Sequence, residues 1–254
     1  MNLVPYKRFA VELARASGEL IRPFFGDLSL AVETKADASP VTRADRAAEE
    51  MLRDLIAQKF PWHGVVGEEF GEDRPDAEFV WVLDPIDGTK SFISGCPLFG
   101  TLIALKHLGR PVLGVIHQPV LGQLLIGDGS LSELNGRAVR VRECRRLADA
   151  TLLTSDPLNP ARHRNGAAFA AVAEEARVFR TWGDCYGYLL VASGFADIMC
   201  DPIVNPWDIQ AILPIIRGAG GVVTDWHGGE PDNGDSLLAA HPLLHGRLVE
   251  LLNP

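Results

Sequence analysis

The chain has 254 residues, 47% hydrophobic and 22% charged, a composition that supports a packed core and argues against disorder along its length. A net charge of −9 leaves no overall positive field for the phosphate backbone of DNA or RNA, while a small anionic ligand stays compatible if metal supplies the positive charge. Cys96, Cys144, Cys185 and Cys200 form no CxxC pair and no zinc-like spacing with histidine, and neither a signal peptide nor an apolar run of about 18 residues is present, so a cytoplasmic, membrane-free protein with reduced thiols is expected.

Tyr6, Phe9, Leu13, Ala16 and Leu20 recur every three or four residues and predict a helix that closes near Pro23. A second helix is predicted from Thr42, its capping residue, with Ala48, Leu52, Leu55 and Ile56 on the buried face and Pro61 as the stop. Val65-Val66-Gly67 and Phe79-Val80-Trp81-Val82-Leu83 read as strands, the second ending abruptly in Asp84. Gly100 to Leu105 and Val112 to Ile116, separated by Gly109-Arg110-Pro111, predict an antiparallel pair.

In the second half, helical spacing at Gly166 to Glu175, Tyr186 to Ser193 and Ile209 to Arg217 alternates with strand candidates at Thr151 to Thr154 and Gly221 to Trp226, a layered α/β order. Gly218-Ala219-Gly220-Gly221 has the composition of a phosphate loop, but it follows a helix and precedes a strand, so it reads as a helix stop. No repeat, low-complexity tract or long linker interrupts the chain. His63, His163 and His227 read as surface or loop residues.

The densest chemical signal is Asp84-Pro85-Ile86-Asp87-Gly88-Thr89. Alone, Asp-Gly after a strand is a turn. Here two acids, a proline that fixes one torsion and a glycine that permits a tight bend let carboxylates and a main-chain carbonyl converge, an oxygen-only set suited to magnesium. Gly67-Glu68-Glu69 and Pro206-Trp207-Asp208 add acids that, singly, would be solvated groups or helix caps. Packing such carboxylates within about 4 Å costs on the order of 4 kcal/mol per pair at a surface-like dielectric, which divalent cations offset.

With these blocks in hand, the chain resembles the inositol monophosphatase superfamily of magnesium-dependent phosphatases: GEEFG at 67 to 71, WVLDPIDGTKSFISG at 81 to 95, PWDIQAILPIIRGAGG at 206 to 221, and PVTRAD at 40 to 45. The resemblance implies a five-layer α-β-α-β-α sandwich in two halves, 1–135 and 136–254, with the site between them, a homodimer, and two to three magnesium ions per site. It implies that Glu68, Asp84 and the Ile86 carbonyl hold the first ion and Asp84, Asp87 and Asp208 the second. Glu68 and Thr89 would position and activate the attacking water, Asp45 would serve a third, weaker ion, and Glu69 would support the ligands from behind. Asp45 also reads as a simple helix cap. Gly88 and Thr89 amides would hold the phosphate. Neither GxSxG nor HExxH is present, so no covalent nucleophile or zincin is indicated.

Within the superfamily, TWGDCYGYLLVASGFADIM at 181 to 199 and PLFGTLIAL at 97 to 105 look most like histidinol-phosphatases, enzymes of histidine biosynthesis. Substrate contacts then fall on Gly183, Asp184 and Asp201. Asp184 or Asp201 would pair with the ammonium of histidinol phosphate, against the alternative that Asp184 only stabilises a loop and Asp201 serves hydroxyls. Inositol phosphate, fructose bisphosphate or a 3′-phosphoadenosine nucleotide are the competing substrates. A non-catalytic regulator is the competing class; it predicts damaged metal positions, and every motif carboxylate is present.

Overall fold

The computed structural model describes residues 1–34, 40–232 and 234–254. Pro5 sits in the opening turn of α1 (Val4–Ile21), which buries Phe9, Leu13, Ala14 and Ile21 on one stripe. The short strands β1 (Val32–Thr34) and β2 (Pro40–Thr42) pair antiparallel and lead into α2 (Arg43–Lys59). Thr42 caps α2 as expected: its hydroxyl accepts from the Ala44 amide, and Asp45 reaches back to the Thr42 amide.

A mostly antiparallel sheet follows, built among the described residues from eight strands. They are β3 (Gly64–Gly67), β4 (Gly71–Asp73), β5 (Phe79–Asp87), β6 (Gly100–His107), β7 (Arg110–Gln118), β8 (Gln123–Gly127), β9 (Ser132–Leu134) and β10 (Arg137–Val139). Only β3 and β5 run parallel, and the one-turn helix α3 (Thr89–Ile93) follows β5. The expected β6/β7 pair is antiparallel, with the turn at Leu108 and Gly109, both at positive φ, so β7 begins at Arg110, inside the predicted turn.

The rest of the chain builds a second sheet of five strands: β11 (Thr151–Leu153), β12 (Val178–Arg180), β13 (Ile198–Asp201), β14 (Val222–Thr224) and β15 (Leu237–Ala240). Its helices are α4 (Asn159–His163), α5 (Gly166–Glu175), α6 (Asp184–Ala192), α7 (Pro206–Gly218) and α8 (Pro242–Leu252). Gly218 to Gly221 ends α7 and turns the chain toward β14, with Gly220 at φ 79°.

The layers follow from which faces are apolar. Helices α1 and α2 cover one face of the first sheet through Phe9, Leu13, Leu52, Trp81 and Leu105. Its other face packs on α6 and α7, whose Leu189, Ile212 and Ile215 also meet Met199 and Leu237 of the second sheet. Helices α5 and α8 close the far side through Phe169, Val172, Leu244 and Leu248. The expected α-β-α-β-α order is therefore what forms. Among the described residues no helix is long and apolar enough to cross a membrane.

His63 departs from the surface position expected of it. It is buried, accepts a hydrogen bond from the Trp81 indole at 3.1 Å, and stacks on Phe60 and Phe79, so it is a satisfied core histidine.

Helix α7 approaches β7 so closely that a Cβ on Gly114 would lie 1.9 Å from the Ala211 carbonyl oxygen. G114A must push α7 outward, and overpacking of this kind costs about 1–3 kcal/mol. Thermal melting is expected to show a midpoint lowered by several degrees; an unchanged midpoint would refute that close packing.

Candidate metal centre

The register of β5 on β6 places Asp84 opposite Leu102 and Asp87 opposite Gly100, so three steps on β5 match two on β6. In a regular strand residues three apart face opposite ways; the extra residue of this bulge brings Asp87 back to the side of Asp84. Pro85 suits the bulge because it has no amide to leave unpaired, and its carbonyl accepts the Thr101 hydroxyl at 2.8 Å. The strand predicted to stop at Asp84 thus continues irregularly to Asp87. Asp84 accepts the Ile86 amide at 3.0 Å, and the Cys185 amide donates to Asp87 from behind.

Asp208 arrives from the opposite sheet's side on the first turn of α7. One of its oxygens accepts the Asn205 amide at 2.7 Å, the helix-capping role. It nevertheless meets the β5 acids: Asp84, Asp87 and Asp208 each offer an oxygen, all within 4.8 Å of one another. Glu68, in the turn between β3 and β4, lines the same cavity and shares a hydrogen bond with the Asp84 carboxyl. The four acids named from sequence therefore line one cavity of roughly 630 Å³.

Burial, then the charges of Glu68, Asp87 and Asp208, hold the Asp84 carboxyl well above the ordinary range. Burial followed by the Asp208 charge lifts Asp87 to about 8, and burial first lifts Asp208 to about 7. Oxygen-only donors, closely spaced and resisting ionisation without a counter-charge, fit a hard divalent cation.

Asp45 fills the helix-capping role and also faces Thr89. One carboxylate oxygen accepts the Thr42 amide at 2.8 Å and hydroxyl at 2.6 Å, while the other lies 3.5 Å from the Thr89 hydroxyl. That hydroxyl donates to the Ile86 carbonyl at 3.0 Å, and Gly88, at φ 85°, turns the chain into α3. Burial raises the Asp45 carboxyl, opposed by its bonds to Thr42.

The two candidate substrate acids differ. Asp201 is buried with both oxygens engaged, accepting the Ser155 amide at 2.9 Å, the Tyr188 hydroxyl at 3.1 Å and the Thr154 hydroxyl at 3.4 Å. Asp184 lines the cavity at φ 50°, its amide held by the Ser155 hydroxyl at 2.8 Å. Gly183 is buried against Ser155 rather than lining the cavity. Glu69 donates its amide to the Glu49 carboxylate at 2.7 Å. Ser155, Tyr188 and Glu49 escape sequence reasoning. For Ser155 and Tyr188 no local pattern marks them, whereas Glu49 lies one helical turn after Asp45 and shares its face.

The raised carboxyls set the pH dependence. Asp87 near 8 and Asp208 near 7 in the metal-free fold, against 3.8 ordinarily, mean that the native state holds more protons than the unfolded chain between those values. Stability of the metal-free protein must fall as pH rises through that window, and a cation that needs ionised ligands must restore more stability at higher pH. Calorimetric melts in chelator are expected to show a midpoint decreasing from about pH 5 to about pH 8, with the increment from added magnesium growing over the same range. A magnesium increment independent of pH would contradict the arrangement.

The inositol monophosphatase family model matches residues 2–254. The chain is 40% identical over 252 residues to a histidinol-phosphatase of Chlorobaculum parvum, covering 97% of this chain and 96% of that one. It is 45% identical over 219 residues to the chloroplastic bifunctional phosphatase IMPL2 of Arabidopsis thaliana, covering 85% of this chain but spanning 63% of the plant protein. An inositol monophosphatase structure from Zymomonas mobilis superposes with a TM-score of 0.90 at 37% identity over the full length of both chains. With the fold, the acid cluster and these matches in agreement, the chain belongs to the inositol monophosphatase family and is a phosphoric monoester hydrolase.

Proposed function

We propose that this protein is a magnesium-dependent histidinol-phosphatase of histidine biosynthesis, releasing histidinol and phosphate. The observation that carries the phosphatase chemistry is the convergence of Asp84, Asp87 and Asp208 within 4.8 Å beside Glu68 and Thr89. Bound there, magnesium would supply charge that acidifies water and stabilises the attacking and leaving oxygens of an in-line displacement. Glu68, the Ile86 carbonyl and the three aspartates would hold two ions, and Asp45 a third.

The residues of the chain do the rest. Glu68 and the Thr89 hydroxyl orient the attacking water. Its proton passes to Glu68, or through Thr89 to Asp45, the acid 3.5 Å away. The water oxygen bonds to phosphorus as the ester P–O bond breaks, and the leaving alkoxide takes up a proton from solvent water and departs as the alcohol. Gly88 and Thr89 amides orient the phosphate oxygens.

The substrate reading rests on Asp184. Asp201 is already engaged by three donors, so we assign it to holding Ser155, and through Ser155 the Asp184 amide. Burial first, then the Asp87 and Asp201 charges, raise the Asp184 carboxyl well above its ordinary range, so a substrate ammonium would restore its ionisation. Inositol phosphate and fructose bisphosphate present hydroxyls instead. The relatives named histidinol-phosphatase support this choice. Three buried cysteines without disulfides accord with a cytoplasmic setting, and a homodimer is the expected assembly.

A phosphate-release panel with and without magnesium should rank histidinol phosphate first; another ester ranking first would sink the substrate reading. D84N is expected to lower turnover on any ester by at least about a hundredfold, as loss of a charge-stabilising group does. D184N is expected to lower kcat/KM on histidinol phosphate by about 10- to 100-fold, the worth of one charged hydrogen bond, with inositol phosphate nearly unaffected. Equal losses on both substrates would count against ammonium recognition.

A further inference from the structure

Glu49 is fully buried on α2, yet neither the acid cluster nor the cavity wall includes it. Its carboxylate accepts the Glu69 amide at 2.7 Å, the Phe70 amide at 3.2 Å and the Arg53 guanidinium at 2.8 Å. Arg53 in turn donates to the Gly71 carbonyl. Residues 68 to 70 form the turn between β3 and β4, which pair Gly67 with Gly71. The remaining amide of that turn, that of Glu68, donates to the Leu83 carbonyl of β5 at 3.2 Å. Every backbone amide of the turn is thus accounted for, two of the three by a single side chain from another element.

The fit is close enough to dictate sequence. A Cβ on Gly67 would lie 2.0 Å from one Glu49 oxygen and 2.7 Å from the other, so glycine is required there for the carboxylate to reach the turn. Glu49 also lies four residues after Asp45 on the same helix, so α2 delivers one acid to Thr89 and the next to the Glu68 turn.

We infer that Glu49 is a positioning residue for the reaction: its carboxylate clamps the 68–70 turn and thereby fixes Glu68 beside Asp84. The inference rests on the reading of Glu68 as a metal ligand. A carboxylate is needed because it only accepts; an amide of the same shape must turn a donor toward one of the N–H groups it faces. Groups that hold a ligand residue in place typically change metal affinity by about 10- to 100-fold when altered.

The test compares E49Q, E68Q and, as a control on the exposed side of α2, E50Q, in the full chain. Magnesium binding is read by titration calorimetry, and turnover by hydrolysis of p-nitrophenyl phosphate, an ester independent of the histidinol assignment. E49Q is expected to bind magnesium about 10- to 100-fold more weakly. Its kcat should fall by about tenfold or more with KM within about threefold, while E50Q matches the parent. If E49Q does not fold, E49D, which withdraws the carboxylate by one methylene, is expected to show the same split. A folded E49Q or E49D with the parent's magnesium affinity and kcat, beside an impaired E68Q, overturns the clamp. An E68Q that matches the parent overturns the reading of Glu68 itself.

Discussion

Mutual repulsion among buried carboxylates is the constraint around which this molecule is arranged. Asp84 is only 2% exposed, and Asp87 and Asp208 lie beside it, so without a cation burial and mutual charge favour their protonated forms. The fold accepts that cost because the strands and helix that carry the acids are anchored elsewhere. β5 is hydrogen-bonded on both sides, by β3 and β6, and α7 is buried between two sheets. Stability from the apolar clusters around these elements offsets the cost of holding a few oxygens where they repel, a cost that a bound divalent cation would relieve.

Two of the site's acids do double duty. Asp45 and Asp208 both occupy the third position of a helix and both turn one oxygen back to the capping residue's amide. The cap fixes the carboxylate's rotamer: the other Asp45 oxygen faces Thr89, and Asp208 keeps an oxygen within 4.8 Å of those of Asp84 and Asp87. A helix cap and a functional ligand are usually weighed as alternatives. Here the cap bond sets where a carboxylate of the candidate site points.

Much of this is legible in the chain. The helices α1 and α2 show their stripes, and Phe79 to Leu83 shows a buried strand because every side chain is apolar. Asp84 and Asp87 stand out because charge at the end of such a run has few structural excuses. What resists reading is set by distant partners. β15, Leu237-Leu238-Ala239-Ala240, consists of helix formers, and it becomes a strand because β13 and β14 flank it and both its faces are buried. The distinction between Asp184 and Asp201 is equally invisible locally. It depends on Thr154 and Ser155, in the loop after β11, and Tyr188 of α6 reaching Asp201. His63 shows the same limit, since its partner Trp81 lies on β5, 18 residues along the chain.

The irregularity at Pro85 turns the spacing of the motif into a matter of parity. Two acids an odd number of residues apart belong to opposite sides of a pleated ribbon, and a single supernumerary residue converts odd to even. A chain that straightened this ribbon would keep its composition and most of its core, yet would show the cavity one acid and bury the other against α1 and α2. The two-acid wall is thus written as much in the miscount between neighbouring strands as in the acids themselves.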